Sequence, residues 1–245
     1  MRSITILLLA NFGIACASAF EVPYAEGQAP SIDGLIDAHI WDAAEWHPID
    51  QVILGDSPTA EDFSGRFKLL WRDDALYLLA ELHDDVLIDA RPDPLEAYWD
   101  DDALEIFVDA DGETGKHQND FRAFAYHVAL DNQSVDIAPN GPQVFPDHVY
   151  SRWQRQGDGA RALVWEAKIR IATHDGDGRK LTGFRQLHSG ETLRFMLAYC
   201  DADDPNGRQH FVGDQNITPV DGDKNLGYKT SDVFGEITLT EPKRR

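Results

Sequence analysis

The stretch YWDDDALEIFVDADGETG, residues 98–115, places one tryptophan beside a run of carboxylates. Trp99 is followed by three aspartates, then by a short apolar run that carries Glu105, and then by Asp109 and Asp111. Three chemistries use such a set: a catalytic carboxylate pair, a group of oxygen ligands for a hard cation, and an aromatic ring that stacks on the C–H face of a sugar while polar neighbours bind its hydroxyls.

The metal hypothesis depends on how the acidic residues are spaced. Asp109 and Asp111 alternate as oxygen ligands ahead of a glycine turn, a pattern that suits calcium although it lacks the full EF-hand spacing. Asp84 and Asp201 each end an apolar run and are followed by further acid. We therefore predict structural calcium, with Asp84, Asp109 and Asp111 as candidate ligands. The alternative for each group is a solvated acidic turn.

Strand alternation singles out a carboxylate and a guanidinium. In the run 104–109, Glu105 lies on the face opposite Leu104 and Ile106. In the run 121–130, Arg122 lies on the face of Phe124 and Tyr126, whose aromatic rings surround it. These two charges indicate either a concave polar site or a structural ion pair inside the sheet, and alternation alone does not choose between them.

A catalytic function has little specific support. The sequence contains 43 Asp and Glu residues, so close carboxylate pairs arise by chance. It has no nucleophile elbow, phosphate-binding loop, dinucleotide fingerprint or zinc-protease motif. We predict a non-catalytic protein. The alternatives are a glycoside hydrolase using Glu105, a haem-binding redox domain using Met196 with a histidine, and a structural module of a surface assembly. The histidines considered, which show no ligand spacing, are His83, His117, His127, His174, His188 and His210.

The elements that must position these residues are strands. Helical periodicity is confined to one short turn within Asp37–Trp46, and Gly, Asp, Asn or Pro separates most of the apolar runs. We predict one all-β domain over residues 20–245, an antiparallel β-sandwich of the immunoglobulin or jelly-roll type. The expected strands are Arg66–Trp71, Ala75–His83, Ala103–Asp109, Phe121–Leu130, Ala160–Ile171, Thr192–Asp201, Gln209–Val212 and Val233–Leu239.

The first residues and the charge indicate the compartment and the partners. Arg2, an early apolar run and Ala17-Ser18-Ala19 form the pattern of a secretory signal peptide over residues 1–19, so we expect a secreted or periplasmic protein. Cleavage removes Cys16 and leaves Cys200 without a disulfide partner. The formal charge of −21 becomes −22 without Arg2, which disfavours nucleic acid and anionic membranes and favours neutral ligands and divalent cations. We predict no membrane insertion.

Four ordered motifs resemble family 9 carbohydrate-binding modules over nearly the whole chain after residue 19. The opening motif carries Ile-Asp-Gly, an acid and a Trp; the second carries Trp-x-Asp, Leu-Tyr and a terminal acid. The third contains the Trp-to-Asp element of the opening stretch, and the fourth closes with a Phe-Gly turn. The motifs are PSIDGLIDAHIWDAAEW (30–46), LLWRDDALYLLAELHDDVL (69–87), YWDDDALEIFVDADGETG (98–115) and NLGYKTSDVFGEITL (225–239).

The resemblance implies a calcium-containing β-sandwich that binds the end of an oligo- or polysaccharide between two aromatic rings. Trp99 and Tyr228 would be the rings, with Tyr228 standing where the best-known binders have a Trp. By the same resemblance Glu105, Arg122 and Asn225 would contact the hydroxyls. A further amide of the family falls near Ala198, which has no side-chain hydrogen-bonding group, so we expect a departure in the bound sugar.

Overall fold

The computed structural model describes residues 19–157 and 162–241, and strands dominate them. One short helix, α1 (Ala38–Trp41), and a 3-10 turn at Ser231–Val233 interrupt the strands. The strands are β1 (Phe20–Pro23), β2 (His47–Ile49), β3 (Gln51–Leu54), β4 (Phe63–Arg72), β5 (Ala75–Asp84), β6 (Ala103–Asp109), β7 (Ala123–Ala129), β8 (Ser134–Ala138), β9 (Gly141–Val144), β10 (Val149–Arg155), β11 (Ala162–Ile169), β12 (Ala172–His174), β13 (Leu181–Phe184), β14 (Thr192–Asp201), β15 (His210–Gly213) and β16 (Gly235–Thr240).

Two sheets face each other as a sandwich. The larger sheet has the strand order β1-β16-β14-β6-β7-β8-β9, and β15 pairs with the second half of β14 and with β3. The smaller sheet has the order β10-β11-β5-β4-β2, while β12 and β13 form a separate hairpin. The pairings are antiparallel except that β1 runs parallel to β16. The predicted antiparallel β-sandwich is confirmed, with this parallel pair at one edge.

The main core lies between the sheets because both inner faces are apolar. Ile106 of β6, Tyr126 of β7 and Leu197 of β14 are fully buried there against Leu78 of β5. On β5 the alternate residues are buried as well, because Tyr77 and its neighbours pack beneath the N-terminal segment. A strand that is covered on both faces has no polar alternation, which explains the continuous apolar sequence of β5.

The outer face of the larger sheet is also covered, but only in part. Phe107 and Met196 of this face pack against Ile217, Leu226 and Phe234, which belong to the segment following β15. This segment ends at residue 234. It does not cover the neighbouring part of β6 and β7, which forms the floor of a pocket. The chain from residue 214 to 234 is therefore both a cover for apolar surface and one wall of the site described below.

All eight predicted strands have a counterpart, although the first two residues of the predicted strand Ala160–Ile171 lie outside the described ranges. The single predicted helical turn is confirmed by α1. The strands that the sequence did not indicate are mostly short, such as β9 and β13 with four residues each, and polar or glycine-containing. In the described ranges no helix is long and apolar enough to span a membrane. The predicted signal peptide lies outside those ranges except for Ala19.

Candidate functional site

A pocket of about 360 Å³ opens on the outer face of the larger sheet. Strands β6, β7 and β8 supply its floor. Four connecting segments supply its walls: residues 98–99 ahead of β6, the connection between β6 and β7, the connection between β14 and β15, and the segment after β15. The lining residues are Tyr98, Trp99, Glu105, Gln118, His127, Asp136, Ile137, Arg208, Asn225 and Tyr228.

Strand register sets which side chains reach the floor. Glu105 of β6 lies directly opposite His127 on β7 and opposite Ala198 on β14. Paired residues on neighbouring strands project from the same face, and the Nε2 atom of His127 lies 3.1 Å from the Oε2 atom of Glu105 as an ion pair. Ala198 adds only a methyl group to this row. The floor therefore presents a carboxylate beside an imidazole and lacks an amide at residue 198.

Aromatic rings form the rim. Trp99 is 42% exposed, although a Trp side chain would normally be covered in a core. Tyr98 meets the Trp99 ring edge-on at 5.0 Å between centroids and meets the His127 ring edge-on at 4.9 Å. On the opposite loop Tyr228 is half-buried against the apolar cover of the sheet. Trp99 is thus held by its neighbour while its remaining surface is available to a ligand.

A second cation reaches the floor from the loop between β14 and β15. The Arg208 side chain is only 10% exposed, and its Nη1 atom lies 3.9 Å from the Glu105 carboxylate. The same Nη1 donates a 3.0 Å hydrogen bond to the Sγ atom of Cys200, and the guanidinium lies 4.4 Å above the ring of Phe211. Glu105 therefore lies between two cationic side chains.

Burial and charge perturb the ionisable groups of the floor in opposite directions. Burial alone would lower the pKa of His127, but the Glu105 charge raises it to about 10. Burial raises the pKa of Asp136 to about 7, while hydrogen bonds from the backbone N–H groups of Ala125 and Ile137 oppose that rise. The floor therefore places hydrogen-bond donors and acceptors side by side on His127, Glu105 and Arg208.

Four of the predicted sugar-contact residues are brought together in this pocket: Trp99, Glu105, Asn225 and Tyr228. Arg122 is not, and its placement is corrected here. Its side chain is 52% exposed and pairs with Asp120 at 3.5 Å.

The reason for that correction is strand parity. Arg122 precedes β7 and shares the alternation of Phe124 and Tyr126, which point into the core between the sheets. The residue of this segment that shares the face of Glu105 is His127. Pairing the two predicted strands would have identified His127, whereas Arg208 lies in a loop that gave no sequence signal.

A second constellation lies at the end of the sandwich where β5 ends and β6 begins. Asp84, Asp102 and Asp201 are at most 1% exposed, and their carboxylate oxygens lie within 4.8 Å of one another. Within residues 19–157 and 162–241, neither carboxylate oxygen of Asp201 has a hydrogen-bond partner. Burial, followed by the charge of Asp84, raises the pKa of Asp102 to about 9 and that of Asp201 to about 8. Asp84 and Asp102 do accept hydrogen bonds, from Tyr199 and from backbone N–H groups. Three buried carboxylates at this spacing, one of them unpartnered, fit the oxygen shell of a hard cation.

The acidic cluster continues toward the surface. Asp62 groups with Asp85 and Asp203, and also with Asp201 and His210. These side chains are half-buried apart from Asp201, and the Nε2 atom of His210 lies 3.4 Å from Asp62. Asp201 therefore connects the buried group to a shallower one.

The other predicted metal ligands lie at the opposite end of β6. Asp109 is buried and accepts hydrogen bonds from the backbone N–H groups of Asp111 and Gly112 at 3.3 and 3.2 Å. Asp111 is exposed, and within the described ranges neither residue joins a group of three possible ligands. Since β6 separates Asp102 from Asp109 by about 20 Å of strand, Asp84 cannot share an ion with Asp109 or Asp111.

The fold and the pocket define a class: a β-sandwich with an aromatic and polar pocket on the outside of one sheet. The family model described as "Carbohydrate family 9 binding domain-like" matches residues 32–242. The chain belongs to this family, as the sequence motifs indicated.

Solved structures share the fold of the chain. The chain is similar to a carbohydrate binding module family 9 from Caldicellulosiruptor kristjanssonii, solved with cellotriose, at 23% identity and a TM-score of 0.66, with 92% of this chain and 95% of that chain covered. The same module solved with glucose gives 23% identity and a TM-score of 0.64 over 93% and 98%. At this identity the likeness shows the fold.

Among curated proteins, the chain is 30% identical over 115 residues to endo-1,4-beta-xylanase A of Thermotoga neapolitana and of Thermotoga maritima. That match covers 46% of this chain and 10% of each xylanase. The chain thus spans about a tenth of the length of these relatives, which leaves the catalytic activity of the whole xylanases outside the comparison.

Proposed function

We propose that the protein is an exported, non-catalytic carbohydrate-binding protein that stacks the end of an oligo- or polysaccharide between Trp99 and Tyr228. The observation that carries the proposal is the convergence of Trp99, Glu105, Asn225 and Tyr228 on one pocket, although they come from three separate segments. The N-terminal signal-peptide pattern supports export.

The chemistry of the pocket matches the two kinds of surface that a sugar presents. The C–H face of a pyranose packs on an aromatic plane, while its hydroxyls each need a donor and an acceptor. Glu105 accepts, Arg208 donates, and Asn225 does both. A pocket of about 360 Å³ lies near the lower limit of small-molecule sites and suits a chain end better than an internal stretch.

We further propose a β-glucoside as the ligand class and calcium as a structural ion. The similar module from C. kristjanssonii was solved with cellotriose and with glucose, which supports the first. The buried group Asp84, Asp102 and Asp201, with two unpartnered oxygens on Asp201, supports the second. Calcium there would neutralise carboxylates that burial otherwise keeps protonated, and would hold the start of β6.

The test is isothermal titration with glucose, cellobiose, cellotriose and a set of unrelated oligosaccharides, in buffer with calcium. We expect saturable heat with at least one glucan end, and its loss in Glu105→Gln. An oligosaccharide whose terminal sugar has been chemically reduced to the open-chain alditol can serve as the matched control ligand, because the reduction removes the terminal ring. Absence of heat with every glycan at high protein concentration would contradict sugar binding, and turnover of a chromogenic glycoside that stops in Glu105→Gln would contradict the non-catalytic assignment.

A further inference from the structure

Three different metal-ligand chemistries meet beneath the pocket floor. The Glu105 carboxylate, the His127 imidazole and the Cys200 thiol have ligand atoms within 4.8 Å of one another. Their exposed fractions are 2%, 6% and 0%. This group is distinct from the acidic cluster around Asp201, which contains oxygen ligands and one imidazole but no sulfur.

We propose that Glu105, His127 and Cys200 bind a thiophilic divalent cation, with Zn²⁺ as the best match, and leave its fourth position open to the pocket. The distances support a tetrahedral ion. Zinc bonds of about 2.0–2.3 Å place neighbouring ligand atoms roughly 3.3–3.8 Å apart. Here the Nε2 atom of His127 is 3.1 Å from Glu105 Oε2, and the Sγ atom of Cys200 is 3.8 Å from the same oxygen.

The orientation of His127 is the second observation. Its Nδ1 atom lies 3.3 Å from the carbonyl oxygen of Ala125, so Nδ1 carries the hydrogen that is donated to the backbone. Its Nε2 atom is buried and makes no aligned hydrogen bond. A ligating histidine usually donates its other ring N–H to a carbonyl or carboxylate, which fixes the ring and directs the remaining nitrogen at the metal. His127 already has that arrangement.

Arg208 completes the surroundings of the sulfur. Its Nη1 atom donates a hydrogen bond to Cys200 Sγ at 3.0 Å, which fixes the position of the sulfur beside Glu105. A guanidinium repels a nearby cation, but two anionic ligands, the Cys200 thiolate and Glu105, offset the charge of the ion. Sulfur and imidazole ligands select zinc over calcium, which prefers oxygen. Three protein ligands with an open position are typical of a zinc that binds an exogenous ligand.

The open position has a defined direction. Glu105 and His127 line the pocket, while Cys200 lies on the same face of the sheet, on the neighbouring strand β14, and is fully buried. A cation held by the three would face the space between the aromatic walls and could take water, a hydroxyl or an anionic group there. The metal proposal shares Glu105 with the proposed sugar site, but the two can fail separately, because the metal test contains no glycan.

Cobalt is the experimental probe, since Co²⁺ occupies zinc sites and a thiolate ligand gives it an intense near-ultraviolet charge-transfer band. The background is full-length protein carrying Cys16→Ser, so that Cys200 is the one thiol in the chain, in saturating calcium to fill oxygen sites. We expect the band to saturate at one equivalent of Co²⁺ and to disappear on addition of one equivalent of Zn²⁺. His127→Gln should weaken binding by more than roughly 100-fold, since even second-shell changes cost about 10–100-fold.

Cys200→Ala should abolish the band, while the matched control His210→Gln, which alters the histidine of the acidic cluster, should leave it unchanged. If Cys200→Ala fails to fold, His127→Gln and thermal melting decide: Zn²⁺ should raise Tm in the background protein and not in His127→Gln. No charge-transfer band, a band that survives in Cys200→Ala, or an equal Zn²⁺ effect on Tm in His127→Gln would each overturn the proposal.

Discussion

Replacing Trp99 by Ala separates sugar binding from folding. If a fully exposed Trp presents about 250 Å², the 42% that is exposed here corresponds to roughly 100 Å² available to a ligand. At about 25 cal/mol per Å², covering that area contributes about 2.5 kcal/mol, or nearly a hundredfold in Kd. The cost to folding should stay below the roughly 3–5 kcal/mol of a fully buried aromatic, because the fold covers only part of the ring.

The assay is titration calorimetry of parent and Trp99→Ala with the best ligand, together with urea unfolding of both. The matched control is Tyr150→Ala, which removes an aromatic ring that is 49% exposed on β10 of the other sheet. This control should leave Kd unchanged. The reasoning would be refuted if Trp99→Ala lost about 3–5 kcal/mol of stability, as a core aromatic does, or if it bound sugar as tightly as the parent.

Three further outcomes follow from other parts of the structure. Arg208→Ala should weaken sugar binding at least about tenfold. Replacing the exposed Arg122 by Ala should change neither the free energy of binding nor the stability by more than about 0.5 kcal/mol. Equal effects of the two variants in calorimetry would contradict the assignment of Arg208. Calcium at a hundredfold excess over its Kd should stabilise the protein by about 2.7 kcal/mol, measured by melting with and without chelator. The stabilisation should be much smaller in Asp201→Asn. An unchanged Tm in the parent protein would contradict the calcium proposal. Burial lowers the pKa of His148 to about 4, and its Nδ1 accepts a 2.6 Å hydrogen bond from Tyr126. This folded-state pKa lies below the unfolded value, so the stabilisation is present above pH 6.5. It is lost as the pH falls toward 4, by up to about 3 kcal/mol in the free energy of unfolding. Denaturation of His148→Gln should therefore show a free energy of unfolding that depends less on pH over that window.

The sequence was sufficient for the strands with long apolar runs and for the face of Glu105, because alternation is a local property. Tyr228 and Asn225 were reached by family resemblance rather than by pattern. Short strands such as β9 and β13 gave no signal, since they are held by pairing with neighbours rather than by their own composition.

The errors of placement arose where two segments had to be combined. Arg122 was grouped with Glu105 because both lie near aromatic residues, yet the β6–β7 register places His127 opposite Glu105. The conformation of the loop between β14 and β15 places Arg208 at the pocket floor. Sequence periodicity does not predict the conformation of such a loop. Local patterns therefore identified side chains, while contacts between segments decided which of them meet.

The short distance along the chain between Trp99 and Asp102 has a consequence for how affinity is generated. Asp101 and Asp102 accept hydrogen bonds from the backbone of Arg91 and Ile88, so the loop that carries Trp99 is fastened at its base beside the acidic cluster. An ion at Asp102 would order this loop before any ligand arrives, and the ligand would then lose less free energy in immobilising its platform. Coupling of this kind is reciprocal, so a protein holding its glycan should also release its ion more reluctantly. In a calcium-poor medium, loss of the ion would then weaken glycan binding through the same loop that carries Trp99.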